Sequence, residues 1–534
     1  MEHLGVVGVG GSFGELALLY YAPRAATVRA RTSSVVYVID RTNFKSILSR
    51  RAEEFAQKYK RYIEKVGILK ELEDDEKMAV AKSLVEMNFV EKETIFEQDE
   101  PGDAFYILYE GQVSVIKNGK EVARKTATAQ QVEFFGEVAL LSNSKRNATI
   151  KVLSAVAKTL SMDKTSFDLL LGPLAEITKR GQTGGQSKFG KGRASMAERQ
   201  QALIAKRTKT SETISLKDLF RLGLLGCGGF GAVELVEHIQ TRDTYALKAV
   251  SKGYIVKSGI QGSVINEKNI QIMLDSPFIV KLHETFNSDQ FLYFLLELAL
   301  GGELCTTYYK KGFWGSEMHA KFYVAATIFA FEHMHAKKVI YRDLKPENLL
   351  LTDKGHTKLT DMGLAKVSVG RTYTSCGTPD YFAPEMITYS GHTQSVDWWT
   401  LGILLFELMT GYTPFESATQ MQTFNKVTQG INRVRFPSRL PPVFRDLVKS
   451  LCRAIPADRL PMKKGGTENI KRHRWFRGFD WAAMHNLSLE PPYRPTVKNK
   501  TDIANFSCSK EDLPPQLEYV DLGTGWDKDF ATSM

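Results

Sequence analysis

No uninterrupted apolar run of about 18 residues occurs in this 534-residue chain, so no membrane-spanning helix is predicted. Cysteine is scarce. Cys227, Cys305, Cys376, Cys452 and Cys508 are odd in number and show no CxxC spacing. That pattern argues against a disulfide framework or zinc site and fits a reducing, cytoplasmic setting. The opening MEHLGVVGVGG lacks the basic stretch and long apolar segment of a secretory leader, and Glu2 stands where N-myristoylation needs glycine. Acidic residues are outnumbered, 60 against 71 Lys and Arg, for a net charge of +11. Charge alone does not separate nucleic acid, an anionic membrane, a phosphorylated ligand and a solvated surface. No nucleic-acid partner is expected.

What is present is a duplication. FGELALLYYAPRAAT at 13–27 returns as FGEVALLSNSKRNAT at 135–149, with Glu15 and Arg24 in one copy matching Glu137 and Arg146 in the other. So distant a repeat implies duplicated domains and not a solenoid. Before the second copy, Phe105–Leu108 and Val113–Ile116 alternate between turn signals at Glu110-Gly111 and Asn118-Gly119, which predicts a β-meander with hairpin turns. SFDLLLGPLAEI reads as a helix, as do Arg50–Lys70 and the run to Val85. Residues 179–210 carry nine Lys or Arg against Glu198 alone, a flexible basic linker turning helical near Met196–Lys206.

Four signals follow in order along one long α/β block. GCGGFGAVEL places Gly226, Gly228, Gly231 and Val233 as G-x-G-x-x-G-x-V, with Cys227, Gly229 and Phe230 between; glycines let backbone amides approach phosphate. Cys227 is read as a small spacer, since no neighbour in sequence predicts a reactive thiol. YALKAV puts Ala246 and Lys248 on an apolar strand, and Glu267 in a helical pattern is the partner of that lysine. YRDLKPENLL supplies Asp343 to accept a hydroxyl proton, Lys345 to neutralise a transferring phosphate and Asn348 to bind Mg²⁺. Asp361 in LTDMGLAK can bridge Mg²⁺ to ATP phosphates. Positioning and charge neutralisation are what phosphoryl transfer chiefly requires. With Ala383-Pro384-Glu385 downstream, this combination is the protein-kinase signature, and the roles are those of that template.

Within kinases, Tyr341 before Arg342-Asp343, LELALGGEL and GRTYTSCGTPDYFAPE resemble the cyclic-nucleotide-dependent branch of the AGC group. The resemblance implies a Ser/Thr kinase, by Lys345, with Thr374 as an activation-loop phosphosite facing Arg342. It also implies a Glu385–Arg459 pair, Asp397 bracing the catalytic loop, and ATP-binding positions at Ala246, Glu297 and Glu303. Glu303 and Glu347 match positions that hold an Arg three residues before the phosphoacceptor, and Thr378 belongs to the substrate site. Asn425 replaces a cAMP-type Glu, which leans toward cGMP-dependent kinases. GTGWDKDF, with Trp526 and Phe530, resembles their tail, with four extra residues after Phe530; Phe506 either covers the adenine or packs in that tail. Two departures stand out. Met362 replaces the Phe of Asp-Phe-Gly, and Gln271 replaces an apolar spine residue; both motivate a pseudokinase alternative.

The paired Glu and Arg have a plain use: Arg holds a cyclic phosphate in a fork and Glu accepts a ribose hydroxyl. The repeats resemble cyclic-nucleotide-binding domains, which implies ligands Gly136, Glu137, Val138, Ala139, Arg146, Asn147 and Ala148, and an incomplete site at Gly14, Glu15, Arg24 and Ala25. The family's guanine-reading Thr is Ala25 in one copy and Asn147 in the other, so cGMP and cAMP both stay open. Lacking strands before Phe13, the first module is expected to be a remnant, or the chain an N-terminally truncated form. Arg193 and Ser195 in the linker resemble an autophosphorylation sequence, although a solvated basic linker is the preferred reading.

The expected architecture is multidomain: jelly-roll β-barrel nucleotide-binding modules followed by a bilobal α+β kinase. Residues 1–55 hold part of a first nucleotide-binding domain, 66–178 a complete one, 179–214 the linker, 220–476 the kinase and 477–534 an AGC-type tail. The expected activity moves the ATP γ-phosphate, with Mg²⁺, to Ser or Thr preceded by Arg or Lys in protein substrates, under cGMP control. A cAMP-responsive or constitutively active kinase is the alternative.

Overall fold

A computed structural model describes residues 6–9, 13, 27–70, 72–128, 130–137, 145–171, 214–228, 231–374, 376–514 and 516–532. Gly14, Glu15, Arg24, Ala25, Val138, Ala139, Gly229, Phe230 and the linker through residue 213, with Arg193 and Ser195, lie outside the described residues.

Helix α1, Arg41–Ile63, starts where Asp40 accepts a hydrogen bond from Asn43 N at 2.9 Å, an N-cap that satisfies an orphan amide. It runs unbroken across residue 55. Helix α2, Asp74–Ser83, opens on a capping box between Glu73 and Glu76, with three acids in its first turn facing the positive helix end. Seven antiparallel strands follow: β1 Val85–Val90, β2 Thr94–Phe96, β3 Ala104–Lys117, β4 Lys120–Ala127, β5 Glu133–Phe135, β6 Thr149–Val152 and β7 Val156–Asp163. Helix α3, Lys164–Leu171, closes the unit.

The expected turn at Glu110-Gly111 is corrected: β3 continues straight through it. Its first half pairs with β7 and β5, its second with β4 and β6, and the register slips between Leu108 and Glu110. Before that bulge Phe105 and Ile107 face the core under α1–α3, and Leu108 faces the barrel interior; after it Val113 takes the interior. One extra residue flips the side-chain parity, as a bulge must. Gly111 sits at φ 105°, and a Cβ there would meet Val156 O at 2.5 Å, so the bend needs glycine. Asn118-Gly119 is a tight hairpin turn with both φ positive, as expected.

In the second block, β8 Leu219–Gly228, β9 Gly231–His238, β10 Thr244–Ser251, β11 Leu282–Asn287 and β12 Phe291–Leu296 form an antiparallel sheet in the order β11-β12-β10-β9-β8. Helix α4, Gln261–Met273, packs on it. A larger, mainly helical lobe follows, centred on α5 Glu317–Ala336 and α6 Ser395–Thr410. Almost every residue of α6 is buried, as its all-round apolar sequence requires. The C-terminal tail returns to the upper lobe. Phe530 is fully buried edge-on to Phe294 at 5.2 Å, and Thr285 Oγ1 donates to Phe530 O at 2.6 Å.

The barrel unit docks on the lower lobe through polar contacts. Ser83 Oγ donates to Val369 O at 2.9 Å, Arg371 pairs with Glu86 at 3.3 Å, and Lys338 pairs with Asp163 at 2.8 Å. A Cβ on Gly370 would lie 2.4 Å from Ser83 Cα, so glycine permits this approach.

Candidate functional site

The cleft between the lobes is built from strand ends above and loops below. Of the described glycines in the glycine-rich turn, Gly231 is sterically required: a Cβ there would lie 1.8 Å from Ala249 O. At Gly226 and Gly228 a Cβ would meet nothing within 4 Å. Their freedom serves the space in front of the strand and not the packing behind it. Val233 lies opposite Lys248 in the β9–β10 ladder. Lys248 Nζ reaches Glu267 Oε1 at 2.8 Å and Asp361 Oδ1 at 3.8 Å. Burial opposes the Lys248 ammonium, but the two carboxylates outweigh it and hold its pKa above the usual lysine value. Lys248, in turn, holds Asp361 below the usual carboxylate range.

Below them, Asp343 is the hub. Its Oδ1 accepts from Thr378 Oγ1 at 3.2 Å, and its Oδ2 accepts from Asn348 Nδ2 at 3.0 Å and lies 3.4 Å from Lys345 Nζ. Lys345 Nζ also donates to Thr378 Oγ1 at 3.4 Å. Burial raises the Asp343 pKa, against the pull of Lys345. The amide nitrogen of Asn348 is committed to Asp343, which leaves its oxygen as the available ligand atom. The loop is braced from behind: Asp397 accepts from Tyr341 N at 3.0 Å, Arg342 N at 2.9 Å and His335 Nε2 at 2.7 Å. The backbone amide contacts match the bracing expected of Asp397; the histidine was not foreseen. Arg342 and Asp361 hold positive φ, 72° and 57°, conformations that persist because their surroundings over-determine them.

Thr374 is exposed, in the segment beyond Arg371. Arg342 Nε donates to Leu364 O, but its buried Nη1 has no partner. Burial, with Arg342 and Lys366, pushes His392 down to about 3, which marks a basic cluster. Glu385 and Arg459 form the expected pair, two contacts of 2.6 Å, both buried. Met362 is buried in the lower-lobe core, where a flexible thioether fits. Gln271 is buried too; its amide nitrogen reaches Glu267 at 3.4 Å while its Oε1 has no partner.

Ala246 is buried in β10. Glu297 differs from a simple ligand: its carboxylate is taken by Lys358 at 2.9 Å and by Lys281 N at 3.2 Å, so only its backbone is left for an adenine. Phe506, like Val233, Leu298 and Ile503, packs against the upper-lobe core. Glu303 and Glu347 are exposed, and both act electrostatically on Cys305 between them. The same cysteine feels Glu407, which the sequence reading did not single out. Glu407 accepts a short hydrogen bond from Tyr381 Oη. Burial, aided by Glu347, Asp380 and Glu416, pushes its pKa up to about 7. Its place inside an apolar helix pattern, FELMTGY, hid it.

In the barrel, Arg146 is 6% exposed, and its guanidinium lies 4.1 Å from the Phe96 ring centre. Its polar contacts are long: Gly136 O at 3.4 Å and Asp103 at 3.5 Å. Its Nε has no partner at all. Gly136, at φ 78°, leaves room for it; a Cβ would come within 2.7 Å of Nη1. Glu137 and Ala148 are half-buried, and Asn147 is exposed. The protein leaves this buried arginine incompletely satisfied.

Comparison with known proteins agrees with both regions. The protein kinase domain family matches residues 220–476, and the cyclic nucleotide-binding domain family matches residues 2–51 and 86–172. A cGMP-dependent protein kinase of Caenorhabditis briggsae is 37% identical over 538 residues, 99% of this chain and 70% of that protein. The human cGMP-dependent protein kinase 2 is 37% identical over 541 residues, 97% of this chain and 70% of its own. Isozyme 1 of Drosophila melanogaster is 35% identical over 536 residues, covering 98% and 69%. Similarity of this extent, carried by the barrel and the cleft alike, makes the chain a member of the cGMP-dependent protein kinase family, a cyclic-nucleotide-regulated serine/threonine kinase that uses ATP.

Proposed function

We propose that this kinase is switched by cGMP bound at Arg146 and phosphorylates Ser or Thr preceded by basic residues. The observation that carries the catalytic part is the bonded cluster of Asp343, Lys345, Asn348 and Thr378, facing Lys248, Glu267 and Asp361 across one cleft. Glu267 fixes Lys248 for the α- and β-phosphates of ATP. Asn348 and Asp361 offer the oxygens that suit Mg²⁺, an ion that completes its shell with substrate phosphates and neutralises their charge. The substrate hydroxyl oxygen attacks the γ-phosphorus, the bond to the departing ADP oxygen breaks, and the hydroxyl proton passes to Asp343. Lys345 balances charge on the transferred group, and Thr378 orients Asp343. These residues supply positioning and electrostatics, the terms that dominate this reaction.

Regulation uses two further groups. A phosphate on Thr374 would satisfy the vacant Nη1 of Arg342 beside Lys366. Glu303, Glu347 and Glu407 form the acidic surface for basic substrate side chains. In the barrel, Arg146 takes the cyclic phosphate, Glu137 the ribose hydroxyl, and Gly136 the close approach. Asn147 can hydrogen-bond a guanine amino group; cAMP is the second reading, since no Thr follows the arginine. The docking of Glu86 and Ser83 on Arg371 and Val369 joins the barrel to the activation segment. A cytoplasmic location belongs to the same proposal.

The test is phosphorylation of an Arg-rich peptide with Mg·ATP. Asp343→Asn should lower the rate roughly 10²–10⁴-fold with little change in melting temperature. Unchanged activity would sink the assignment, and undetectable activity of the nucleotide-saturated wild type would favour a pseudokinase.

A further inference from the structure

One pair of cysteines far apart in sequence is brought together where the C-terminal tail meets the glycine-rich turn. Cys227 lies in β8 at the glycine-rich turn, and Cys508 lies in the C-terminal tail. Both thiols approach one carbonyl: Ser509 O is 4.0 Å from Cys227 Sγ and 3.8 Å from Cys508 Sγ. Both cysteines are half-buried, whereas Cys376 and Cys452 are buried in the core. The tail around Cys508 is a strap. Asn505 Nδ2 donates to Leu300 O at 3.0 Å at the joint between the lobes, and Asn505 O would lie 2.8 Å from a Cβ on Gly302. Two residues before Asn505, Ile503 packs against Gly223 of β8, and beyond it Asp512 fixes the turn by accepting from Ser509 N at 2.8 Å. The strap therefore touches both the joint between the lobes and the glycine-rich strand.

We propose that Cys227 and Cys508 are a redox pair whose disulfide ties the glycine-rich strand to the tail and shuts down nucleotide exchange in the ATP cleft. The oxidant class is a peroxide. Hydrogen peroxide transfers one oxygen to the Cys508 thiol, giving a sulfenic acid and one water. The Cys227 sulfur then attacks the Cys508 sulfur, the S–S bond forms, the S–O bond breaks, and the departing hydroxide leaves as a second water with the Cys227 proton. Two thiols lose two electrons and one peroxide gains them. Burial and the neighbouring Cys508 thiol hold the Cys227 pKa above the ordinary thiol value, which makes Cys227 the poorer target for peroxide and assigns it the resolving step. A thiol reductant reverses the tie, and a reducing compartment keeps it open at rest. The inhibition rests on the ATP-cleft reading; bond formation does not.

The test treats the full chain with hydrogen peroxide, maps disulfides by peptide mass spectrometry, and follows peptide phosphorylation before and after thiol reductant. The expected result is one intramolecular Cys227–Cys508 link, loss of most activity, and recovery on reduction. Asp343→Asn should form the same link, which separates bond formation from catalysis. Cys508→Ser should keep its untreated activity and retain it through the same peroxide dose; Cys227→Ser should show no link. Absence of the link, equal inactivation of Cys508→Ser, or a complete link with full activity would each overturn the proposal.

Discussion

Two buried arginines, one in each half of the molecule, show how the protein separates structure from response. Arg459 is fully buried and closed: Glu385 takes two of its nitrogens at 2.6 Å, and the carbonyls of Ser395 and Arg453 take more. Arg146 is nearly as buried and open, with contacts of 3.4 and 3.5 Å and an unpartnered Nε. A closed pair holds a fold, because removing one partner strands a charge in a low-dielectric interior. On the proposed reading, an open one takes its counter-charge from the ligand. Burial alone does not mark a ligand site; a buried cation with unmet hydrogen-bonding capacity is the stronger candidate.

The comparison breaks most easily at its closed end. Glu385→Ala should cost about 3–5 kcal/mol, because Arg459 is left uncompensated. Arg146→Ala should change stability by about 1 kcal/mol or less in the absence of nucleotide. With cGMP at a hundred times its dissociation constant, wild type should gain about 2.7 kcal/mol and Arg146→Ala nothing. Thermal melts of the three proteins check all of this; equal losses in both substitutions would erase the distinction.

A half-buried acid, Glu407, sharpens the same idea through pH. Its pKa is raised to about 7, so the folded protein favours its protonated form; that stability is present at low pH and lost as pH rises through about 7. Binding an arginine side chain needs the ionised form. KM for an Arg-containing peptide should therefore fall roughly tenfold between about pH 6 and pH 8, and Glu407→Gln should flatten the profile. A wild-type KM that is flat over this window would contradict the role. A comparably small effect is expected at Gln271. Gln271→Leu removes a buried amide oxygen without a partner and should add about 1 kcal/mol of stability with catalysis intact.

The kinase cleft was legible because its chemistry is written in short local motifs. Lys248, Glu267, Asp343, Asn348 and Asp361 each sit in a recognisable stretch, and the fold brings them within bonding range. Arg146 and its glycine partner were legible for the same reason, from FGE and the spacing to arginine. What stayed hidden depends on contacts between distant segments. Glu407 looks like one polar residue in an apolar helix until Tyr381, Glu347, Asp380 and Glu416 surround it. The Glu110-Gly111 signal reads as a turn, because a bulge that carries one strand between two sheets leaves the same glycine. His335 gains its role from Asp397, across 62 residues. Cys227 and Cys508, nearly 300 positions apart, show nothing in sequence of the contact the tail creates.

The central claim is that an anion at Arg146 controls the distant cleft. Its most direct test is the dose–response of peptide phosphorylation to cGMP and cAMP, measured side by side for wild type and Arg146→Ala. The account predicts saturable stimulation of wild type, at lower concentrations of cGMP than of cAMP, and a flat response for Arg146→Ala with catalysis otherwise intact. Wild-type activity that is the same with and without nucleotide, or full stimulation of Arg146→Ala, would contradict it.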